Sequence, residues 1–239
     1  MLERRSPTSR LHEQLGQLIA ETDPGERLPS EPDLARQMGV SRATLREAMR
    51  TFETQGLIRR HQGVGTFVVR PSRVLESGLE VLESIETLAQ RIGLQVTTGM
   101  FRVDVMPVES EETVALGLTG EDRVTSVERV ILAEDRPVAF LVDVLPVDLI
   151  PLEVIHEDFS GSVLDLLLQR GDPPLINSHC EIAAVAASSQ IARALNIQRG
   201  DALLRFISKL FTLDGRVVDY SHSYFLPGYF RFHVVRALA

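Results

Sequence analysis

Apolar residues recur at three- and four-residue intervals through the first part of the chain, and each run has its own stop signal. Leu11, Leu15, Leu18 and Ile19 mark one face of a helix over Thr8–Glu21, closed by Asp23-Pro24-Gly25. Leu34, Ala35 and Met38 mark a second, short helix, with Ser30 as N-cap, Pro32 in its first turn and Gly39 at its end. Leu45, Ala48, Met49 and Phe52 mark a third, which Ser41 caps. The period then drops to two. Gly56-Leu57-Ile58-Arg59-Arg60 and Thr66-Phe67-Val68-Val69 read as strands, and Gln62-Gly63-Val64-Gly65 supplies glycines for a tight tip. Two short helices across a Gly-containing turn, followed by a hairpin, predict a winged helix-turn-helix whose second helix is the recognition helix.

The third stripe leaves Arg42, Thr44 and Arg46 on the outward side of its first two turns. Two guanidiniums and a hydroxyl at an exposed helix N-terminus suit phosphate oxygens and guanine edges in a DNA major groove. A solvated face without a ligand is the alternative for so short a string. The surrounding pattern favours DNA: the run from Arg27 to Val69 resembles the DNA-binding domain of the GntR family of bacterial transcription regulators, nearly without a break. That resemblance implies double-stranded operator DNA as partner and a DNA-binding set of Ser41, Arg42, Thr44, Arg46, Gln62, Gly63 and Gly65. The wing residues Gln62 to Gly65 would reach into or along a groove, with Gly63 and Gly65 also serving the turn. Arg4, Arg5 and Arg10 either reach phosphates or form a solvated tail.

From Pro71 to Gly93 the chain is acidic with spaced Leu75, Leu79, Leu82, Ile85 and Leu88, interrupted by Gly78. It reads as a linker with helical turns and no chemistry, its Glu76, Glu80, Glu83 and Glu86 a solvated face. Beyond Gln95, alternating β-branched strands are joined by short helices, and an internal repeat appears. Residues 111–146 align with 190–227: Leu116-Gly117-Leu118 with Leu195-Asn196-Ile197, Asp122 with Asp201, Arg129 with Lys209, Asp135-Arg136 with Gly215-Arg216, Leu145-Pro146 with Leu226-Pro227. A duplicated helix–strand–hairpin–strand unit predicts one antiparallel sheet with pseudo-twofold symmetry and a ligand site between its halves. The class is therefore α+β, with a winged helix over 1–70, a linker over 71–93 and an effector-binding and dimerisation domain over 94–239.

Asp135-Arg136-Pro137-Val138, Gly161-Ser162-Val163-Leu164, Asp214-Gly215-Arg216-Val217-Val218-Asp219 and Phe230-Arg231-Phe232 resemble the UTRA effector domain of the HutC branch, which has a chorismate lyase-like fold. The all-helical effector domain of the FadR branch is disfavoured, since 95–235 reads mostly as strand. In sugar-phosphate-sensing relatives two arginines on one strand hold the phosphate. Carried over by position, Arg129 keeps the first, and Ile131 stands where the second would be. Ser162 is kept, Leu164 replaces a tyrosine, Leu141 stands at a usual acidic position, Asp219 keeps an acid, and Phe225 takes the place of a tyrosine. Strand alternation turns Arg129 inward, where it needs a partner. A phosphate monoester carries roughly two charges at neutral pH, more than one arginine compensates. The expected effector is therefore a small organic acid, bound by Arg129 through two parallel hydrogen bonds, rather than a sugar phosphate.

Charge separates the two halves. Residues 1–73 hold 12 arginines against 9 carboxylates, net +3, whereas residues 74–239 hold 13 basic and 24 acidic side chains, net −11. The acidic half must do something other than bind nucleic acid. One winged helix covers one half-site, so the acidic half is expected to supply the interface of a homodimer. Cys180, the single cysteine, cannot form an internal disulfide, and it reads as a buried strand residue. No zinc spacing, cofactor motif, signal peptide or membrane-length apolar run is present, which points to the cytoplasm and to no membrane partner. An enzyme reading rests only on the lyase-like fold, which does not carry function. A constitutive DNA binder whose distal domain only dimerises is the other alternative.

Overall fold

The computed structural model describes residues 7–54, 56–61, 63–69, 75–159 and 161–235. Arg4, Arg5 and Gln62 lie outside the described residues. These residues form two compact units, 7–69 with Pro227–Tyr229, and 75–226 with 230–235. No helix of the described residues is long and apolar enough to cross a membrane.

In the first unit α1 (Pro7–Glu21), α2 (Glu31–Gln37) and α3 (Arg42–Thr54) pack around one core, with β1 (Ile58–His61) and β2 (Gly65–Val68) behind them. The stripes read from the sequence are that core: Leu11, Leu15, Leu34, Leu45, Met49, Ile58 and Val68 are all buried within it. Ser30 Oγ accepts the Asp33 N–H at 3.4 Å to open α2. The helix ends in a Schellman turn, where the Val40 N–H reaches the Ala35 carbonyl at 3.0 Å and the Gly39 N–H that of Arg36 at 3.3 Å. Gly39 sits at φ 65°, a left-handed conformation that a side chain would strain, and so fixes the angle at which α3 leaves. Ser41 Oγ then accepts the Thr44 N–H at 3.1 Å. The wing is antiparallel, with Ile58 opposite Val68 and His61 opposite Gly65.

The second unit is built on a six-stranded antiparallel sheet in the order β4-β5-β6-β9-β8-β7. Its strands are β4 (Val96–Pro107), β5 (Arg123–Ala133), β6 (Arg136–Pro146), β7 (Leu175–Ala186), β8 (Ala202–Thr212) and β9 (Val217–Phe225). The order is a palindrome of the sequence repeat. Each repeat contributes a short helix, α5 (Ser110–Leu116) or α8 (Ser189–Ala194), and then a hairpin. The last strands of the two repeats, β6 and β9, pair at the centre with Val142 opposite His222. Both tips turn through left-handed residues, Glu134 and Asp135 in one and Gly215 in the other. Val127, Leu145, Leu210 and Val218 on one face pack with α6 (Leu152–Asp158) and α7 (Val163–Arg170). Val124, Val144 and Tyr220 on the other pack with Ala115 and Leu116 of α5.

The segment read as a chemistry-free linker is different in the structure. Leu75–Gly78 form β3, which pairs in parallel with β10 (Phe230–His233). Ile85–Arg91 form α4, capped by Ser84, and Leu88 and Ala89 bury themselves with Leu75. Leucine spacing in a short acidic stretch does not separate a linker from an element whose apolar partners are distant in sequence. Here the partners are β10 and the face of the sheet.

Candidate functional site

The first unit presents an open groove of about 670 Å3, whose walls include Glu31, Arg42 and Arg46 from the helices and Arg60, Gly63, Val64 and Gly65 from the wing. Helical periodicity places Leu45, Ala48 and Met49 inside and leaves Ser41, Arg42, Thr44 and Arg46 exposed. The Thr44 hydroxyl lies 2.8 Å from Ser41 Oγ, so the cap also orients it. Arg46 is held rather than loose: its Nε meets Glu31 Oε2 at 2.6 Å. Glu31 also approaches Arg60 Nε at 3.6 Å, so one carboxylate steadies a recognition-helix arginine and a wing arginine. Gly63 and Gly65 both take positive φ at the wing tip. Val64 between them is 56% exposed. Sequence reasoning misses Val64 and Glu31; an apolar residue between two turn glycines is the available signal for the first.

The second unit encloses a cavity of about 370 Å3 between one face of the sheet and α4, α7, β3 and β10. Period-two alternation explains its floor: Leu141 and Asp143 of β6, Asp219, Ser221, Ser223 and Phe225 of β9, and Phe206, Ser208 and Leu210 of β8 all line it. Arg129 enters from β5, Ser162 and Leu164 from the start of α7. Ile131 is a correction. It is fully buried, yet it is absent from the cavity wall. It pairs with Ala139, two residues past the Arg129–Leu141 pair toward the hairpin end of β5, beyond the stretch of that strand that lines the cavity.

Arg129 is 5% exposed and surrounded. Its Nη1 donates to Glu86 Oε1 at 3.1 Å and to the Gly161 carbonyl, and its Nη2 donates to Asp143 Oδ2 at 3.3 Å. The guanidinium carbon lies 5.6 Å from the centre of the Phe159 ring. A short relay sets this geometry. Ser162 caps α7 by accepting the Asp165 N–H at 3.1 Å, and the Asp165 carboxylate accepts the Ser84 hydroxyl at 2.6 Å. Ser84 in turn caps α4, two residues before Glu86. Gly161, at φ 107°, precedes the α7 cap and gives its carbonyl to Arg129. Sequence reasoning misses Glu86 and Asp143. Neither carries a local signal, since one sits in an acidic helix and the other in an apolar strand.

These contacts bear on the expected effector chemistry. The paired hydrogen bonds assigned to an organic acid are already made to Asp143 and Glu86. Around a single guanidinium stand three carboxyls, because Asp219 is also buried at 8% exposure. Burial pushes all three up from the ordinary carboxylate range, against the pull of Arg129. Asp219 goes well above it, with Asp143 adding to the effect of burial. Asp219 Oδ1, Glu86 Oε2 and Arg129 Nε have no hydrogen-bond partner. Cys180 is corrected too: it is exposed, on the edge strand β7, where only β8 covers its flank. Among the described residues no cluster of three or more His, Cys, Asp or Glu could hold a metal.

A raised carboxyl has a definite stability signature. Between its unfolded and folded pKa the native state binds more protons, so its contribution makes stability fall as pH rises through that window. Asp219→Asn should therefore unfold at a higher temperature than the parent near pH 8. The gap should close below about pH 4, where Asp219 is protonated in both states. Thermal melts across pH check this; a gap that widens on acidification would contradict it.

Comparison with known proteins bears on both sites. The family model "Bacterial regulatory proteins, gntR family" matches residues 7–68, and "UTRA domain" matches residues 91–231. The Escherichia coli (strain K12) mannosyl-D-glycerate transport/metabolism system repressor MngR is 27% identical over 231 residues, covering 97% of this chain and 94% of that protein. The Bacillus subtilis (strain 168) HTH-type transcriptional repressor NagR is 30% identical over 205 residues, covering 85% and 82%. In fold, the crystal structure of PhnF from Mycobacterium smegmatis superposes with a TM-score of 0.65 at 20% identity, over 96% of this chain and all of that one.

Proposed function

The chain belongs to the GntR family, in the HutC branch that joins its DNA-binding domain to a UTRA domain, and from that premise we propose a homodimeric repressor released from operator DNA by a small molecule. It is a transcription regulator, not an enzyme. The observation that carries the reading is the division of labour. The basic unit turns Arg42, Arg46 and the wing into one groove, and the acidic unit encloses a separate cavity with orphaned polar atoms. A second domain that only dimerised would have no use for buried, unsatisfied polar groups, each of which costs stability. Within the groove, Ser41, Arg42, Thr44, Arg46, Gly63 and Gly65 are the proposed DNA contacts. Within the cavity, Arg129, Leu141, Ser162, Leu164, Asp219 and Phe225 are the proposed effector contacts, now joined by Glu86 and Asp143. Operator DNA places its work in the cytoplasm. Repression is carried over from the relatives named repressors.

The test is a fragment of DNA selected in vitro by the purified chain. Sedimentation should give a dimer alone and a two-to-one complex on DNA with half-sites about one helical turn apart. A metabolite extract should release it. A monomer on a single half-site, indifferent to every extract fraction, would leave no room for this reading.

A further inference from the structure

The cavity's chemistry is lopsided. Its buried charged groups are one guanidinium, already donating to two carboxyls, and a third carboxyl, Asp219, that has no cation of its own. Asp219 is more than nine-tenths buried, lines the cavity and leaves Oδ1 without a donor. On the same wall Phe206, Phe225, Phe230 and Phe232 form an aromatic cluster, with ring centres 4.5 Å apart for Phe206 and Phe232 and 5.0 Å for Phe225 and Phe232. An anion entering here meets more carboxyls than cations and must be desolvated without a free cation. An ammonium group meets an acceptor in want of a donor, and aromatic faces whose quadrupole attracts positive charge.

We propose that the ligand of this cavity is a small organic cation, a primary or secondary amine on an apolar body, with its N–H groups on Asp219 and its body against the phenylalanines. This rests on the cavity being the effector site. The volume, about 370 Å3, falls in the ordinary range for small-molecule sites, about 300–1,000 Å3. Arg129 Nε, also without a partner, takes one hydrogen-bond acceptor on the same ligand, a hydroxyl or carbonyl oxygen beside the amine. The class differs from the organic acid expected from the lone arginine in the sequence, because the arginine is not alone.

Binding of such a cation is coupled to protons. Asp219 on β9 faces Asp143 on β6 and Arg129 on β5, with Glu86 on α4 beyond the guanidinium and Cys180 on β7 along the wall. Burial and Asp143 favour the protonated form of Asp219, and the ligand's charge competes with that proton. Amine affinity should therefore rise as pH increases above the ordinary carboxylate range. A carboxylate ligand would show the opposite slope.

The experiment uses the full chain and a matched library. Phenethyl, cyclohexyl and butyl bodies each carry an amine, an alcohol, a carboxylate or a phosphate, read by thermal shift and then by calorimetry at several pH values. Amines should be the enriched class, bind more tightly with rising pH, and lose roughly tenfold or more in affinity with Asp219→Asn. Melting of the ligand-free Asp219→Asn chain shows that it folds. Enrichment of carboxylates or phosphates would overturn the cation and leave the effector cavity standing. If no member of any class shifts the melt, the effector cavity falls, and the cation with it.

Discussion

Arg129→Ala should cost the effector unit about 3–5 kcal/mol, the usual loss when one partner of a buried ion cluster is removed. The side chain is 6% exposed and is the cation that Glu86 and Asp143 share. Without it three buried carboxyls face one another, and the Gly161 carbonyl loses a donor. Each acid is already pushed up by burial, with Arg129 as the opposing influence. Its loss would raise them further, so the damage should be greatest at high pH and partly relieved by acid. Pairing the substitution with Asp143→Asn removes one of the stranded charges and should recover part of the loss. Denaturant melts of both variants, at about pH 5 and about pH 8, measure this directly. A cost below about 1 kcal/mol at either pH would mean that Arg129 is a dispensable surface-like pair.

On DNA the largest effects should come from the recognition helix. Arg42→Ala and Arg46→Ala should each weaken operator binding by about 1–3 kcal/mol, and the salt slope should become shallower by about 0.9 for every phosphate left unneutralised. Both side chains are exposed and neither belongs to the apolar stripe of α3, so folding should change by less than about 1 kcal/mol. Removing Arg46 does not strand Glu31, which keeps Arg60 as a partner. Titration at fixed salt, repeated over a salt series, separates the two roles. A base-reading arginine relaxes sequence preference, whereas a phosphate-reading one weakens all sequences alike. If both variants bind as the parent does, α3 is not the reading helix.

How much was legible in the sequence varies with how local the cause is. The three helices of the first unit, their caps at Ser30 and Ser41, and the turn at Gly39 follow from side-chain spacing and backbone preference within a few residues. So does the outward placement of Arg42, Thr44 and Arg46, since a 3.6-residue period fixes which side faces the core. An antiparallel sheet with pseudo-twofold symmetry was legible too, through the repeat, although which strands meet at its centre was not. What Arg129 does was not. Its inward direction follows from alternation, but Glu86, Asp143 and Asp219 come to it from another helix and two other strands. Charge compensation at a buried site depends on through-space distance, and the sequence lists charges without distances. The folding of 75–93 onto the cavity rests on the same kind of long-range contact. Local periodicity thus determined the outward face of α3, and the internal repeat determined the symmetry of the sheet. Only the tertiary structure brought the carboxyls of Glu86, Asp143 and Asp219 around Arg129, because which distant side chains share one buried, low-dielectric space is set by long-range packing.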